Sequence, residues 1–455
     1  MVKGGAHSTE YITARAADSL FRMGAGGYSA AKKAPGDVKQ VSSWFEKQSD
    51  KLAAIQRSGP ALNFNTKLKA GVGAIKSLGD LASVDKITQI MIIMIGFLFF
   101  IIFFWCYNKL SLNKSNCSNL TKLYTEFPLI SSINTTNPNY QFKLRDYYIK
   151  TAYNCCSAGT FKNDFVNLCA LKNCIKQGVR CLDFEIYSVK GLPVVAVSSK
   201  IDFNVKESYN SVPFSDAMTI ISTYAFSGST CPNPNDPLIL NFRIMSNNTL
   251  IYDQISTILY NTLEDRLLDK QFSYENDGKN LGDYQLTRLM GKVIIMVDKK
   301  NPLYTSTSLY EYVNVASNGG APFVRNMRYS DVIYCPDVKE LQYYNQQQMT
   351  IVLPDISAKN NNYSADLVMA FGCQMVGLSF QNFDKYMQLY TERFDDVGSA
   401  FKLKDEKYRY IPIYIKSPPP QDPALSYEPT VFTVLPGLPS VSLGGTYDPL
   451  NPPAR

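Results

Sequence analysis

The chain has 455 residues, 45% hydrophobic and 19% charged, which excludes a disordered or collagen-like protein and allows one large domain with appendages or two to three ordinary ones. The net charge of +7 is unevenly placed: residues 1–87 hold 13 Lys/Arg against 7 Asp/Glu, and residues 109–455 hold 33 against 32. The large C-terminal part therefore lacks a global field suited to nucleic acid. His7 is the single histidine, so any mechanism needing two histidines is excluded, as is a zinc site built on several.

Residues 1–86 read as a basic arm of short helical pieces (11–23, 41–57 and 68–81) broken by glycine, with too few large apolar residues for a core. Two readings fit it: an arm that lies on anionic lipid or binds a protein partner, and a solvated tether. Residues 87–108 contain no charged side chain, and 90–107 (IMIIMIGFLFFIIFFWCY) is an apolar block closed by Trp105 and Tyr107. Eighteen such residues rise about 27 Å as a helix, near the hydrocarbon thickness of a bilayer, which predicts a single spanning helix. The block lies too far from Met1 for a signal peptide. Flanking lysines barely differ between its two sides. Every cysteine lies at or beyond Cys106, and the sequons at Asn113, Asn116, Asn119, Asn134, Asn247 and Asn362 all follow the span, which favours the C-terminus outside. An Asn-rich segment generates sequons by chance, so the orientation stays open.

Residues 109–143 read as a polar stalk. Beyond it, helix-period and apolar segments alternate. Residues 164–177, 214–226, 250–268 and 383–394 read as helices; residues 181–187, 193–197, 238–244, 291–297, 350–353 and 374–380 read as strands. A looser stretch of roughly forty residues interrupts them. Such β–α alternation with buried-type strands predicts an α/β fold, a parallel TIM-type (β/α) barrel over 144–416. Residues 417–455 hold ten prolines and are expected to form an extended tail without regular structure, available to a protein partner.

Two blocks carry a resemblance. GVRCLDFE (178–185), then PVV (193–195), YAF (224–226), PLIL (237–240) and GKVII (291–295), resemble the X half of the eukaryotic phosphoinositide-specific phospholipase C barrel. GCQMVGLSFQ (372–381), with MQLY (387–390), Arg393-Phe394 and FKLK (401–404), is similar to its Y half. Order and spacing agree over about 145–412.

The resemblance implies a phosphodiesterase using two histidines and a Ca²⁺ held by carboxylates and an Asn. The sequence departs from that pattern. Tyr153 stands at the first histidine position, and Val197 (or Ala196) at the second. Of the metal ligands Asn154 matches, Asp183 and Glu185 match with Glu and Asp exchanged, and Arg243 replaces the last carboxylate. A fixed guanidinium there predicts an Arg–carboxylate pair in place of a metal. Met296 stands where a phosphate-binding Lys is usual, Ala358 or Lys359 stands near the usual Arg, and Lys292 is the remaining candidate headgroup contact. The Cys155-Cys156 pair lacks the spacing or basic partner of a redox site.

Three functions follow. The first is a single-pass membrane protein with a catalytically inactive barrel, a structural or interaction module without cofactor, partnered by the bilayer and by proteins through the arm and tail. Proteins of this kind resemble membrane-anchored, degenerate phospholipase-C-like products of large DNA viruses, which implies a virion membrane or minor capsid setting. The second is a phosphodiesterase with a rearranged site on Asn154, Asp183, Glu185 and Arg243, with Ca²⁺. The third is a non-catalytic headgroup binder using Lys292.

Overall fold

The computed structural model describes residues 86–412, 430–432 and 441–443. The helices expected at 11–23, 41–57 and 68–81 lie outside the described residues.

Helix α1 (Lys86–Leu123) runs unbroken for 38 residues. Its segment Thr88–Lys109 has mean hydropathy 2.7 with none of it buried against the protein, so it is long and apolar enough to cross a membrane. The helix does not stop there. Residues 109–123, read above as the start of a stalk, continue α1 and dock on the following domain. Leu120, Tyr124, Ile130 and Ile133 enter its core, and a disulfide joins Cys117 to Cys169. Asn, Ser and Thr are poor helix formers, so this part of the helix depends on its packing.

The domain is a parallel sheet curled into a nearly closed barrel. In chain order its strands are β1 (Tyr147–Ala152), β2 (Cys181–Val189), β3 (Leu192–Val195), β4 (Val212–Pro213), β5 (Leu238–Ile244), β6 (Val293–Asp298), β7 (Val315–Ser317), β8 (Val324–Arg328), β9 (Met349–Leu353), β10 (Met375–Leu378) and β11 (Phe401–Leu403). The eight barrel strands pair in the order β7-β6-β5-β2-β1-β10-β9-β8, while β3 and β11 add antiparallel to β2 and β1. Closure fails between β7 and β8, which share no ladder. Helices α2 (Leu168–Lys176), α3 (Phe214–Tyr224), α4 (Leu250–Leu263), α5 (Tyr329–Ile333), α6 (Val338–Gln347), α7 (Ala365–Met369) and α8 (Lys385–Asp395) lie between strands. The stretch read as loose thus holds β7, β8, α5 and α6.

The period-two rule sorts the strand side chains. Phe184 and Phe242 face outward, with ring centroids 6.0 Å apart, and Phe214 of α3 meets Phe242 at 5.4 Å. Asp183, Glu185, Asn241 and Arg243 have the opposite parity and face the barrel interior. Register pairs Asp183 with Asn241 and Glu185 with Arg243 across β2 and β5.

The seam between α1 and the barrel is close. Asn167 Nδ2 donates to Asn113 Oδ1 at 3.1 Å, and Asn116 Nδ2 to Asp164 Oδ1 at 3.0 Å. A Cβ on Gly159 would crowd the Asp164 carboxylate and come within 2.7 Å of Asn116 Nδ2, so a larger residue there would displace the Asn116–Asp164 hydrogen bond. Three of the sequon asparagines are engaged by the fold: Asn113 and Asn116 at this seam, and Asn362, whose amide donates to Asn382 O at 2.7 Å. Separately, Thr430–Phe432 pairs antiparallel with Val441–Leu443. This short ladder lies within residues 417–455, which were expected to form no regular structure; Thr430, Val431 and Val441 are β-branched. The rest of the tail lies outside the described residues.

Removing the disulfide (Cys117→Ser with Cys169→Ser) frees a 52-residue separation and is expected to cost up to about 4 kcal/mol. Urea unfolding of the detergent-solubilised chain measures it, and a reducing agent is expected to lower the wild-type midpoint alone.

Candidate functional site

The interior polar residues converge at the C-terminal ends of β1, β2 and β5 on one guanidinium. Arg243 Nε and Nη2 donate to Asp183 Oδ1 and Oδ2 at 2.8 and 2.7 Å. Its Nη1 donates to Glu185 Oε1 at 2.6 Å, and Nη2 also to Asn154 Oδ1 at 2.8 Å. The remaining lone pairs are met from elsewhere. Asn241 Nδ2 donates to Asp183 Oδ1 at 2.7 Å, and the Asn154 backbone N–H to Asp183 Oδ2 at 3.0 Å. Tyr187 OH and the Ser198 backbone N–H both donate to Glu185 Oε2 at 3.0 Å. Asn154 adopts φ 44°, a left-handed conformation that Asn tolerates, and this turns both its amide groups toward the cluster.

The cluster is dry: Asp183, Glu185 and Arg243 are 0%, 3% and 4% exposed. Burial alone would lower the Arg243 pKa, but Asp183 and Glu185 outweigh it and hold the guanidinium well above its ordinary range. With two carboxylates against one cation, the formal charge is −1.

Tyr153 stacks its ring face 5.0 Å from the Arg243 guanidinium and meets Phe161 edge-on at 5.3 Å. Burial raises its phenol pKa, with Arg243 offsetting in part, so it is no base at neutral pH. Val197 is buried and offers only backbone groups: its N–H donates to Ser208 Oγ at 3.4 Å, and its carbonyl accepts from the Glu207 and Ser208 N–H groups. Phe161 is itself buried; its N–H donates to Ala358 O at 3.1 Å, and Gln381 and Asn360 side-chain amides donate to Gly159 O at 3.2 Å each. A cleft of about 660 Å³ lined by Lys299, Lys300, Pro302, Asn318 and Gly319 includes none of these residues.

The structure thus joins Tyr153, Asn154, Asp183, Glu185 and Arg243. It does not join Lys292, which precedes β6 at the opposite end of the barrel. Register sets Phe242 beside Val297, so Lys292 lies six residues below the level of Arg243, about 20 Å along the strand. Its Nζ donates to Leu267 O at 3.1 Å and lies 3.8 Å from Asp269. The expected headgroup role for Lys292 in the same pocket is therefore corrected. Met296 is buried in the layer of Asn241 and Asp183. Asn241, Tyr187 and Ser198 went unread in the sequence, although N-F-R (241–243) beside D-F-E (183–185) carries the alternation of two inward polar pairs.

A parallel β/α barrel with its polar site at the C-terminal strand ends is the architecture that enzymes of many chemistries share. Family models narrow it: residues 140–299 match the phosphatidylinositol-specific phospholipase C X domain and residues 324–406 its Y domain. The chain carries the X/Y barrel of that family. Among solved structures, L. pealei PLC21 is similar at 19% identity and TM-score 0.50, and S. officinalis PLC21 at 19% and 0.49. Each match covers 62% of this chain and 39% of the other protein. A calcium-dependent phosphoinositol-specific phospholipase C from Pseudomonas sp. matches at 10% identity and TM-score 0.37, over 56% of this chain and 94% of the other. No curated protein sequence matches significantly.

The Ca²⁺ that the resemblance implies does not fit these residues. Asn154 Oδ1 and all four carboxylate oxygens of Asp183 and Glu185 already accept hydrogen bonds, and a fixed cation stands among them. Truncating that cation tests the balance. Arg243→Met leaves two buried carboxylates uncompensated and is expected to cost about 3–5 kcal/mol. Adding Asp183→Asn and Glu185→Gln is expected to recover most of the loss in the same urea titration.

Proposed function

We propose that this protein is a membrane-anchored phospholipase-C-like barrel without phosphodiesterase turnover, acting as a structural or interaction protein. The observation that carries this reading is Arg243, whose guanidinium engages Asn154, Asp183 and Glu185 together. Phosphoryl chemistry depends on electrostatic stabilisation at the transferred group, and the groups that would hold a metal for it are engaged. Val197 has no titratable group, and burial keeps the Tyr153 phenol protonated, so neither supplies a base in place of a histidine. Loss of general acid–base catalysis typically costs ~10²–10⁴-fold per group.

In this reading α1 anchors the chain in a bilayer through Thr88–Lys109, the barrel needs no Ca²⁺ or other cofactor, and protein partners engage the basic arm and the Pro-rich tail. The setting we propose, by analogy with degenerate viral proteins of this type, is a virion membrane or minor capsid. Headgroup binding through Lys292 has less support, because Lys292 lies at the far end of the barrel from the cluster.

The test is release of inositol phosphates from phosphatidylinositol and its 4,5-bisphosphate by the full chain in mixed micelles, with and without Ca²⁺. The expected rate equals that of an Asp183→Asn control in both conditions. Ca²⁺-dependent turnover that the control lacks would overturn the reading in favour of a rearranged phosphodiesterase.

A further inference from the structure

The sequons beyond the span divide into two sets. Asn113, Asn116 and Asn362 stand in Asn-X-Ser, and the fold engages each of their side chains. Asn119, Asn134 and Asn247 stand in Asn-X-Thr, and each is exposed. A glycan on an asparagine needs a side chain at the surface, so the folded protein accommodates one only on the second set. Within that set, Asn119 lies inside α1, where the Thr121 hydroxyl is turned back on Cys117 O at 2.9 Å.

Asn134 differs from the others in its local geometry. Its Oδ1 accepts from the Thr136 N–H at 3.0 Å and from Thr136 Oγ1 at 2.8 Å. Both donors draw electron density toward Oδ1 and make an Nδ2 proton easier to remove. The turn closes within three residues, so it forms without help from the barrel. The Thr136 methyl group stiffens χ1 and so helps hold the hydroxyl in its donating position, which a serine would not do. The neighbouring chain is pinned: the Ile133 N–H donates to Asp236 Oδ1 at 2.7 Å. Asp236 precedes β5, so Asn134 lies beside the N-terminal strand ends, away from the Arg243 cluster.

We propose that Asn134 is an N-glycosylation site, and that the barrel therefore lies on the lumenal or outer side of its membrane. This rests on the anchor reading of α1. The Cys117–Cys169 disulfide independently calls for an oxidising compartment on the barrel side of the span. All other barrel cysteines except Cys335 are buried, which suits them to remain as thiols there. The donor is a polyprenyl-pyrophosphate-linked oligosaccharide. Asn134 Nδ2 attacks the anomeric carbon, and the new N–C bond forms as the C–O bond to pyrophosphate breaks. Polyprenyl pyrophosphate leaves with the bonding pair, and a base on the transferring enzyme takes the amide proton.

Translation of the full chain with glycosylating microsomes tests this, read by alkaline carbonate extraction and by mobility before and after peptide-N-glycosidase F. The chain is expected in the carbonate pellet, with a glycosidase-sensitive form of lower mobility. Asn134→Gln and Thr136→Ala are each expected to remove one mobility step; both positions are exposed, so neither change disturbs the core. A pelleted chain with no glycosidase-sensitive form, or one whose steps all survive both substitutions, would overturn the proposal and leave the anchor standing. A chain extracted by carbonate would overturn the anchor reading itself, and the proposal with it.

Discussion

One buried guanidinium organises the interior of this barrel. Arg243 reaches from β5 to both carboxylates of β2 and to Asn154, two residues past β1, tying three adjacent strands at the level where the mouth begins. Two carboxylates removed from water would repel each other and lose their hydration; the guanidinium offsets both, and neutral donors from Asn241, Tyr187 and Ser198 complete the shell. An interior network satisfied to this degree is costly to change one residue at a time. That accounts for Asn154, Asp183 and Glu185 standing together in a chain where the resemblance would otherwise assign them to a metal.

The same interaction constrains the chemistry. A cation fixed by geometry neutralises charge that is already present, whereas a catalytic cation must meet charge that develops during reaction. Aromatic rings pack against it: Tyr153 lies over the guanidinium, and Phe161 meets Tyr153 edge-on. Outside the barrel, the Cys117–Cys169 disulfide fastens α1 to α2.

Much of this was legible in the sequence, for identifiable reasons. Strands buried on both faces read as continuous apolar runs, so β2, β5 and β6 were readable from their composition. Polar residues inside such runs, Asp183, Glu185 and Arg243, could only be paired or functional. The residues missed are those whose role comes from the tertiary structure. Residues 109–123 looked like a stalk because Asn and Ser disfavour helices, and only a narrow stripe of Cys117, Leu120 and Tyr124 betrays the docking face. β7 and β8 are short, and β8 is half-polar, so no period marked them. Lys292 was assigned to the pocket from its place in a motif, although a residue preceding a strand belongs to the other end of a parallel barrel.

The central claim is that Arg243 stands in the place of a cation, and Ca²⁺-dependent thermal stability tests it most directly. Melting of the full chain is compared with and without Ca²⁺ for the wild type and for Arg243→Glu. The account predicts no Ca²⁺ effect on the wild type, a large destabilisation of Arg243→Glu in the absence of metal, and its recovery by Ca²⁺ as three carboxylates and Asn154 acquire the cation they lack. A wild-type melting point that rises with Ca²⁺, to the same extent as in the variant, would contradict it.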